Sequence, residues 1–193
     1  MDVASESPST GLGHFRIKDG PVKRYLLIFV ATCLAMTNIV AAQADVSPAF
    51  AKLLGLTGNW EGTFEWSGAR TASGKMNATY YSTGNGSAIV ENLIIDGTPT
   101  MTSVYHMDGT NLRLTHFCAA QNQPRFKATS VDLAQGVIKF SLVDVTNLRS
   151  PDAGYVHGLE VRLLDPNHIM LDFLFEGGGK QSTERVDLKR VTH

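Results

Sequence analysis

The sequence predicts an all-β protein, an antiparallel, up-and-down β-barrel of about ten strands preceded by a short helix. Three observations support this prediction. Segments in which apolar and polar residues alternate recur about every ten residues after position 57. Asp-Gly and Asn-Gly pairs, which favour tight hairpin turns, separate several of these segments. Many short strands in hairpin order favour closure into a barrel, since closure removes exposed strand edges, and a two-sheet sandwich is the alternative.

An apolar segment ahead of the barrel has the pattern of a signal peptide. Lys23 and Arg24 precede a strongly apolar run at positions 25–35, and Ala42 and Ala44 form an Ala-x-Ala cleavage site. The apolar run is shorter than the roughly 20 residues that a membrane-spanning helix needs. We therefore expect a cleaved signal peptide, with an uncleaved membrane anchor or a buried core helix as the alternatives.

This prediction divides the chain into an N-terminal extension with signal peptide, residues 1–44, and a barrel domain, residues 45–193. The mature domain would be exported, to the periplasm or to the extracellular space. Cleavage would remove Cys33 and leave Cys118 as the single cysteine, so no intramolecular disulfide is expected and the apolar core must stabilise the fold.

The charge of the chain limits its partners. The 193 residues carry a formal net charge of −1, whereas a nucleic-acid-binding protein usually presents a strongly basic face. We therefore expect a small-molecule ligand and no nucleic acid, with membrane contact only through the signal segment during export. Nothing in the sequence indicates an oligomeric state.

The barrel domain begins with a short helix. Ser47 is a favourable N-cap, Pro48 suits the first helical position, and Gly55 is a typical stop.

The first strand, at positions 58–66, alternates cleanly. Trp60, Gly62, Phe64 and Trp66 fall on one face and polar residues on the other, which is typical of a strand with one buried face. Further strands are predicted at 75–82, 87–95, 100–107, 111–118, 125–131, 137–143, 154–164, 168–175 and 182–191.

The Gly58-x-Trp60 pair on a first strand that follows a short helix resembles the signature of lipocalins and other calycins. In that superfamily the Trp closes one end of the barrel beneath an Arg from the last strand, a role that Arg190 matches by position, with Arg185 as the second choice. Gly62 extends the motif to Gly-x-Trp-x-Gly, which is similar to nitrobindin and to secreted bacterial calycin-like families of unknown function. The resemblance implies a calycin-like β-barrel.

Four further segments also resemble the secreted families, namely 104–109, 114–118, 122–125 and 144–148. The chain departs from nitrobindin in one respect. That family binds haem through a His near its C-terminal strand, whereas no His lies between Gly177 and Arg190, and His193 is the terminal residue. We therefore predict no haem or other cofactor, and no metal.

The strongest candidate site lies on the hairpin around Asp108 and Gly109. If these two residues form the turn, directly opposed residues share a face. The predicted pairs are Tyr105 with Leu112, Ser103 with Leu114, and Met101 with His116. Tyr105 and His116 then fall on the more apolar face, which should point into the barrel, while His106 points outward. A shift of the register by one residue would reverse both faces.

His116 is the best candidate polar group in an apolar cavity, because a neutral imidazole there can donate or accept a hydrogen bond or act as an acid or base. The alternative is a core histidine that a neighbour satisfies. Cys118, on the same face, is expected to be a small buried apolar residue rather than a nucleophile.

Two loop residues, an arginine at the start of a strand and a second histidine complete the candidates. Arg125 follows Asn122 and Gln123 and could hold a carboxylate or phosphate at the barrel mouth, or could simply brace the loop. His157 lies in phase with apolar residues of its strand, so it is expected to point inward toward His116.

The predicted function is that of an exported, lipocalin-like barrel that binds a small apolar or amphipathic ligand. Phe64, Trp66 and Tyr105 would form its walls, and His116 and Arg125 would anchor polar groups. One alternative is an enzyme of isomerase, lyase or hydrolase type with His116 as acid or base. The other is a structural protein of the cell envelope.

Overall fold

The computed structural model describes residues 47–192, which form a closed barrel of ten antiparallel strands preceded by helix α1, Pro48–Leu54. The strands are β1 (Gly58–Gly68), β2 (Ala72–Thr83), β3 (Ala88–Ile95), β4 (Thr98–Asp108), β5 (Asn111–Phe117), β6 (Gln123–Asp132), β7 (Val137–Thr146), β8 (Tyr155–Asp165), β9 (His168–Gly177) and β10 (Lys180–Arg190). Each strand pairs with the next in the chain, and β1 pairs with β10 to close the barrel. The predicted all-β, up-and-down barrel is confirmed.

The predicted signal segment and Cys33 lie outside the described residues. No helix within residues 47–192 is long and apolar enough to cross a membrane.

Helix α1 occupies the predicted position and packs against the barrel core through Ala49, Phe50 and Leu53. Pro48 stands at its first turn and Gly55 at its C-cap, as expected. Ser47 precedes the helix but makes no capping hydrogen bond through its side chain. Burial of the apolar face therefore holds the helix in place, which is the usual case for a helix of so few residues.

The end of the barrel nearest α1 is closed by Trp60 and Arg190. The Arg190 guanidinium carbon lies 4.4 Å from the centre of the Trp60 ring. Arg190 also donates to the carbonyl oxygens of Gly55 and Thr57, at 2.8 and 2.7 Å, and Trp60 Nε1 donates to the carbonyl of Leu56 at 2.8 Å. These bonds tie the end of α1 to both the first and the last strand.

Gly62 permits the close approach of β1 and β10. A Cβ atom at this position would lie 1.8 Å from the carbonyl oxygen of Asp187, far inside contact distance.

Side chains that reach across the barrel fill its interior. The rings of Tyr105 and Phe140, on β4 and β7, meet edge to face with 5.9 Å between their centres. The rings of His116 and Phe173, on β5 and β9, lie 5.0 Å apart. Strands β5 and β9 are on opposite walls, so these contacts span the interior.

The hairpin of β4 and β5 differs from the predicted register by two residues. Its turn is Gly109-Thr110, and Asp108 pairs with Asn111. Arg113 donates to Asp108 Oδ2 through Nε and Nη2, at 3.2 and 3.1 Å, next to this turn. The observed pairs are Met107 with Leu112, Tyr105 with Leu114, and Ser103 with His116.

The predicted pairs are therefore wrong, but the predicted faces are right. A strand repeats every two residues, so a shift of two leaves each side chain on its original face. Tyr105 and His116 are buried in the interior, while His106 is only half-buried.

Candidate ligand-binding site

Five polar residues on neighbouring strands meet inside the barrel, and we call them the inner polar cluster. Its members are Tyr80, Glu91, Ser103, Tyr105 and His116. Tyr80 pairs directly with Glu91, Glu91 with Ser103, and Ser103 with His116. Because directly paired residues point to the same face, these side chains, from four consecutive strands, lie next to one another inside the barrel. All five side chains are buried.

Glu91 is the centre of this cluster. Its Oε2 atom accepts hydrogen bonds from Tyr80 Oη at 2.7 Å and from Tyr105 Oη at 3.0 Å. Burial raises the pKa of the Glu91 carboxyl, and the hydrogen bonds from the Tyr80 and Tyr105 hydroxyls act in the opposite direction. Burial also raises the pKa of both tyrosines well above the ordinary value, and the neighbouring Glu91 charge adds to the shift.

His116 is held in a neutral state. Its Nδ1 atom shares a hydrogen bond with Ser103 Oγ at 3.0 Å, and its ring packs on Phe173. Burial lowers the pKa of the imidazole to about 4, so the ring carries no charge near neutral pH.

Two atoms of the cluster have no hydrogen-bond partner within residues 47–192. They are Oε1 of Glu91 and Nε2 of His116, and both are fully buried. A buried polar atom without a partner costs about 1–3 kcal/mol, so native proteins seldom leave one unpaired. These two atoms mark a place where a polar group from outside the chain would be stabilised.

A second polar group lies at the far end of the barrel, opposite α1, and we call it the far-end cluster. It consists of Trp66, Arg70, Cys118, Ser182 and Glu184. Trp66 pairs with Glu184 across β1 and β10, and the Arg70 guanidinium carbon lies 4.1 Å from the centre of the Trp66 ring. The Arg70 backbone N–H donates to Ser182 Oγ at 3.0 Å.

Burial dominates the ionisation of the far-end cluster. It raises the pKa of Glu184 to about 7, against a hydrogen bond from Trp66 and the nearby charge of Arg70. Burial likewise raises the pKa of the Cys118 thiol, so this cysteine is not an activated nucleophile.

Phe173 separates the two clusters. It pairs directly with Glu184 on β10, and its ring packs on His116. Trp66 completes an aromatic layer here through an edge-on contact with Phe175, at 5.6 Å between ring centres. Phe64 is half-buried, and the absent side chain of Gly74 makes room for its ring.

The other predicted site residues lie elsewhere. Arg125 is on the outer wall, about half exposed, where it donates to both carboxylate oxygens of Asp144 at 2.6 and 2.5 Å. Gln123 accepts a hydrogen bond from the Thr146 hydroxyl at 3.1 Å. Asn122 is buried in the loop after β5 and donates to the carbonyl of Gly154 at 2.9 Å, but its Oδ1 has no partner within the described range.

The prediction that His157 faces inward is wrong. A β-bulge shifts the register of β8 between Val156 and Gly158, so Val156 is buried and His157 is only half-buried. The alternation read from Leu159 toward the N-terminus therefore breaks at the bulge.

Sequence reasoning assigned no function to Tyr80, Ser103 or Glu184. Glu184 lies in phase with the apolar Val186 and Leu188, just as Glu91 lies in phase with Ile89 and Leu93. A single carboxylate on the apolar face of a strand is the signal that could have identified both, since unpaired buried acids are rare.

The main clefts of residues 47–192 are not at the inner polar cluster. One cleft of about 500 Å³ lies at the closed end between α1, the loop after β6 and the loop after β8. Burial and unpaired atoms, rather than an open cleft, therefore define the candidate site. No group of three or more potential metal ligands occurs in the described part of the chain.

The barrel resembles known structures in fold. The crystal structure of Rv2717c from M. tuberculosis matches with a TM-score of 0.52 and 17% identity, over 77% of this chain and 100% of that one. A protein of unknown function from the DUF3598 family of Nostoc punctiforme matches with a TM-score of 0.50 and 15% identity, over 72% of this chain and 49% of that one. No protein-family model matches the sequence, and neither does any curated protein.

Proposed function

We propose that this protein is an exported, calycin-like barrel that binds a small amphipathic molecule, with the ligand's polar group hydrogen-bonded to Glu91 and His116. The observation that carries the proposal is the pair of buried, unpaired atoms, Glu91 Oε1 and His116 Nε2, in a cluster whose other polar atoms are satisfied. A ligand that hydrogen-bonds to both atoms would remove the free-energy cost of burying them without a partner.

The chemistry around these atoms selects the class of ligand. A carboxylate oxygen accepts hydrogen bonds, so the ligand needs an N–H or O–H donor. The neutral His116 and the apolar surroundings disfavour an anionic ligand, because a second negative charge beside the buried Glu91 would have no counter-ion. Phe140 and Phe173 fill the interior beside Tyr105 and His116, so a ligand must be compact and must displace these rings when it binds. A molecule of the size of a phenol meets these requirements, since its hydroxyl can donate to one of the two atoms and bond to the other, and indole supplies the donor alone.

The enzymatic alternative has weaker support. Ser103 and His116 form a hydrogen-bonded pair, as a nucleophile and its base do. A catalytic histidine is commonly oriented by a hydrogen-bond acceptor on its second nitrogen, and Nε2 of His116 has no partner among the described residues. With a pKa of about 4, the imidazole is also a weak base.

Paired probes test the binding proposal. Indole carries an N–H donor, and N-methylindole has the same aromatic body without it. Isothermal titration calorimetry should show tighter binding of indole, by up to about tenfold, since one hydrogen bond contributes about 0.5–1.5 kcal/mol. Glu91→Gln should abolish this preference, because the amide places a donor in the cluster. The same change at Glu61, an exposed residue on β1, should preserve it.

Equal affinities for the two probes, or failure of both to bind, would refute the proposal. Far-UV circular dichroism of each variant establishes that the barrel is intact. Export is tested separately by the mass of the mature protein, which should begin at Asp45 if the signal peptide is cleaved after Ala44.

A further inference from the structure

Glu184 is an acid without a counter-ion at the far end of the barrel. Its side chain is buried, with 4% of the residue exposed, and no cation within residues 47–192 forms an ion pair with it. The guanidinium of Arg70 is nearby but packs on the ring of Trp66 instead. A buried carboxylate is stabilised by a paired cation, and here that position is not filled by the chain itself.

Trp66 already accommodates a cation on its ring. The Arg70 guanidinium lies 4.1 Å from the ring centre, within the range of a cation–π contact, and indole is the strongest aromatic partner for such contacts. Because Trp66 and Glu184 are directly paired on β1 and β10, one cationic group can contact the ring and the carboxyl at the same time.

We propose that the far end of the barrel binds an organic cation bearing a primary ammonium or guanidinium group, with the Trp66 ring and the Glu184 carboxylate as its two contacts. Arg70 covers the Trp66 ring when the site is empty and moves aside when the cation binds. This site is separate from the inner polar cluster, because Phe173 stands between Glu184 and His116.

The attachment of Arg70 is compatible with this movement. Its backbone N–H is fixed to Ser182 Oγ, but Arg70 itself is exposed and its guanidinium makes no ion pair within the described range. The side chain can therefore leave the ring without disturbing the strands. Displacement into water costs little, since an exposed guanidinium is readily solvated.

The surroundings of the far end favour a cation. Asp152 and Glu176 line a cleft of about 150 Å³ formed by the loops after β7 and β9, at the same end of the barrel. Negative charge at this end of the barrel raises the local concentration of cations.

Butylammonium and pentanol are a matched pair of probes for this site, since they share a similar alkyl chain and differ in charge. Two-dimensional proton–nitrogen NMR observes the two indole N–H signals of the protein, and Trp66→Phe identifies the signal of Trp66. Titration at about pH 8 keeps the Glu184 carboxyl, whose pKa is about 7, largely ionised. The neighbouring Arg70 is positively charged at this pH, and the Cys118 thiol, whose pKa is raised by burial, remains neutral. Butylammonium should shift the Trp66 signal saturably, and pentanol should not.

Two variants decide the roles of the contacting residues. Glu184→Gln should weaken butylammonium binding by at least about tenfold, because it removes the only carboxylate of the cluster. Arg70→Ala should tighten binding, because it removes the competing guanidinium, whereas Arg113→Ala on the outer wall should leave binding unchanged.

An Arg70→Ala variant that binds more weakly than the parent or with equal affinity would overturn the proposal, as would an equal response to pentanol. Arg70 is exposed, so its variant should fold even if Glu184→Gln does not. Glu91→Gln should not alter butylammonium binding, and this separates failure at the far end from failure at the inner polar cluster.

Discussion

The burial of Glu184 has a measurable consequence for the stability of the barrel. The pKa of this carboxyl is about 7 in the folded protein, against an ordinary value of 4.5 for glutamate. Between these two pH values the folded protein holds a proton that the unfolded chain releases, so the free energy of unfolding falls as the pH rises. At roughly 1.36 kcal/mol per pKa unit, the full effect is about 3 kcal/mol.

Glu184→Gln isolates this effect, because the amide has the size of the carboxyl and does not titrate. Urea unfolding of the parent and the variant, followed by far-UV circular dichroism at several pH values, gives the free energy of unfolding of each. The value for the parent minus the value for the variant should decrease by about 3 kcal/mol from pH 4.5 to about pH 8.

The same substitution at the exposed Glu61 measures the effect of removing one negative charge from the protein. A difference that stays constant with pH would refute the reasoning, since it would mean that water reaches the Glu184 carboxyl freely. A difference that increases with pH would mean that Arg70 forms an ion pair with Glu184 in solution.

Two other substitutions probe the interior and the strand contacts. The pKa of His116 is lowered from 6.5 to about 4, so between these pH values the unfolded chain binds a proton that the folded protein excludes. The free energy of unfolding of the parent should therefore fall by about 3 kcal/mol relative to that of His116→Phe as the pH falls from 6.5 to 4. A difference in urea unfolding that does not change with pH would contradict this. Gly62→Ala places a Cβ atom 1.8 Å from the Asp187 carbonyl oxygen, so it should separate β1 from β10 and cost about 3 kcal/mol. Calorimetry should then show a melting temperature roughly 10 °C lower, and an unaltered value would exclude this close approach.

The alternation of side chains along the strands could be read from the sequence, since it depends only on neighbouring residues. In β1, Trp60 and Trp66 are buried and the polar residues between them are exposed, as predicted. The same local rule assigned Tyr105 and His116 to the interior, and it held although the turn lies one residue further along the chain, which shifts the pairing register by two.

The partners of these residues could not be predicted from local patterns. Glu91 meets Tyr80, Ser103 and Tyr105 only because β2, β3 and β4 pair in one particular register. The sequence placed Arg125 at the mouth, whereas the pairing of β6 with β7 puts it beside Asp144 on the outer wall. Such contacts depend on the register of whole strands, which small shifts in any turn can change.

The sequence by itself determined the strands, their hairpin order and the faces that are buried, because period-two alternation and turn residues are local properties. Its resemblance to calycins also identified Trp60 and Arg190, whose contact closes one end of the barrel. Only the tertiary structure decided which buried groups meet and which remain unpaired. The bulge at His157, the isolation of Glu184 and the two unpaired atoms of the inner polar cluster all follow from closure of the sheet, which fixes the position of every strand relative to strands distant in the sequence.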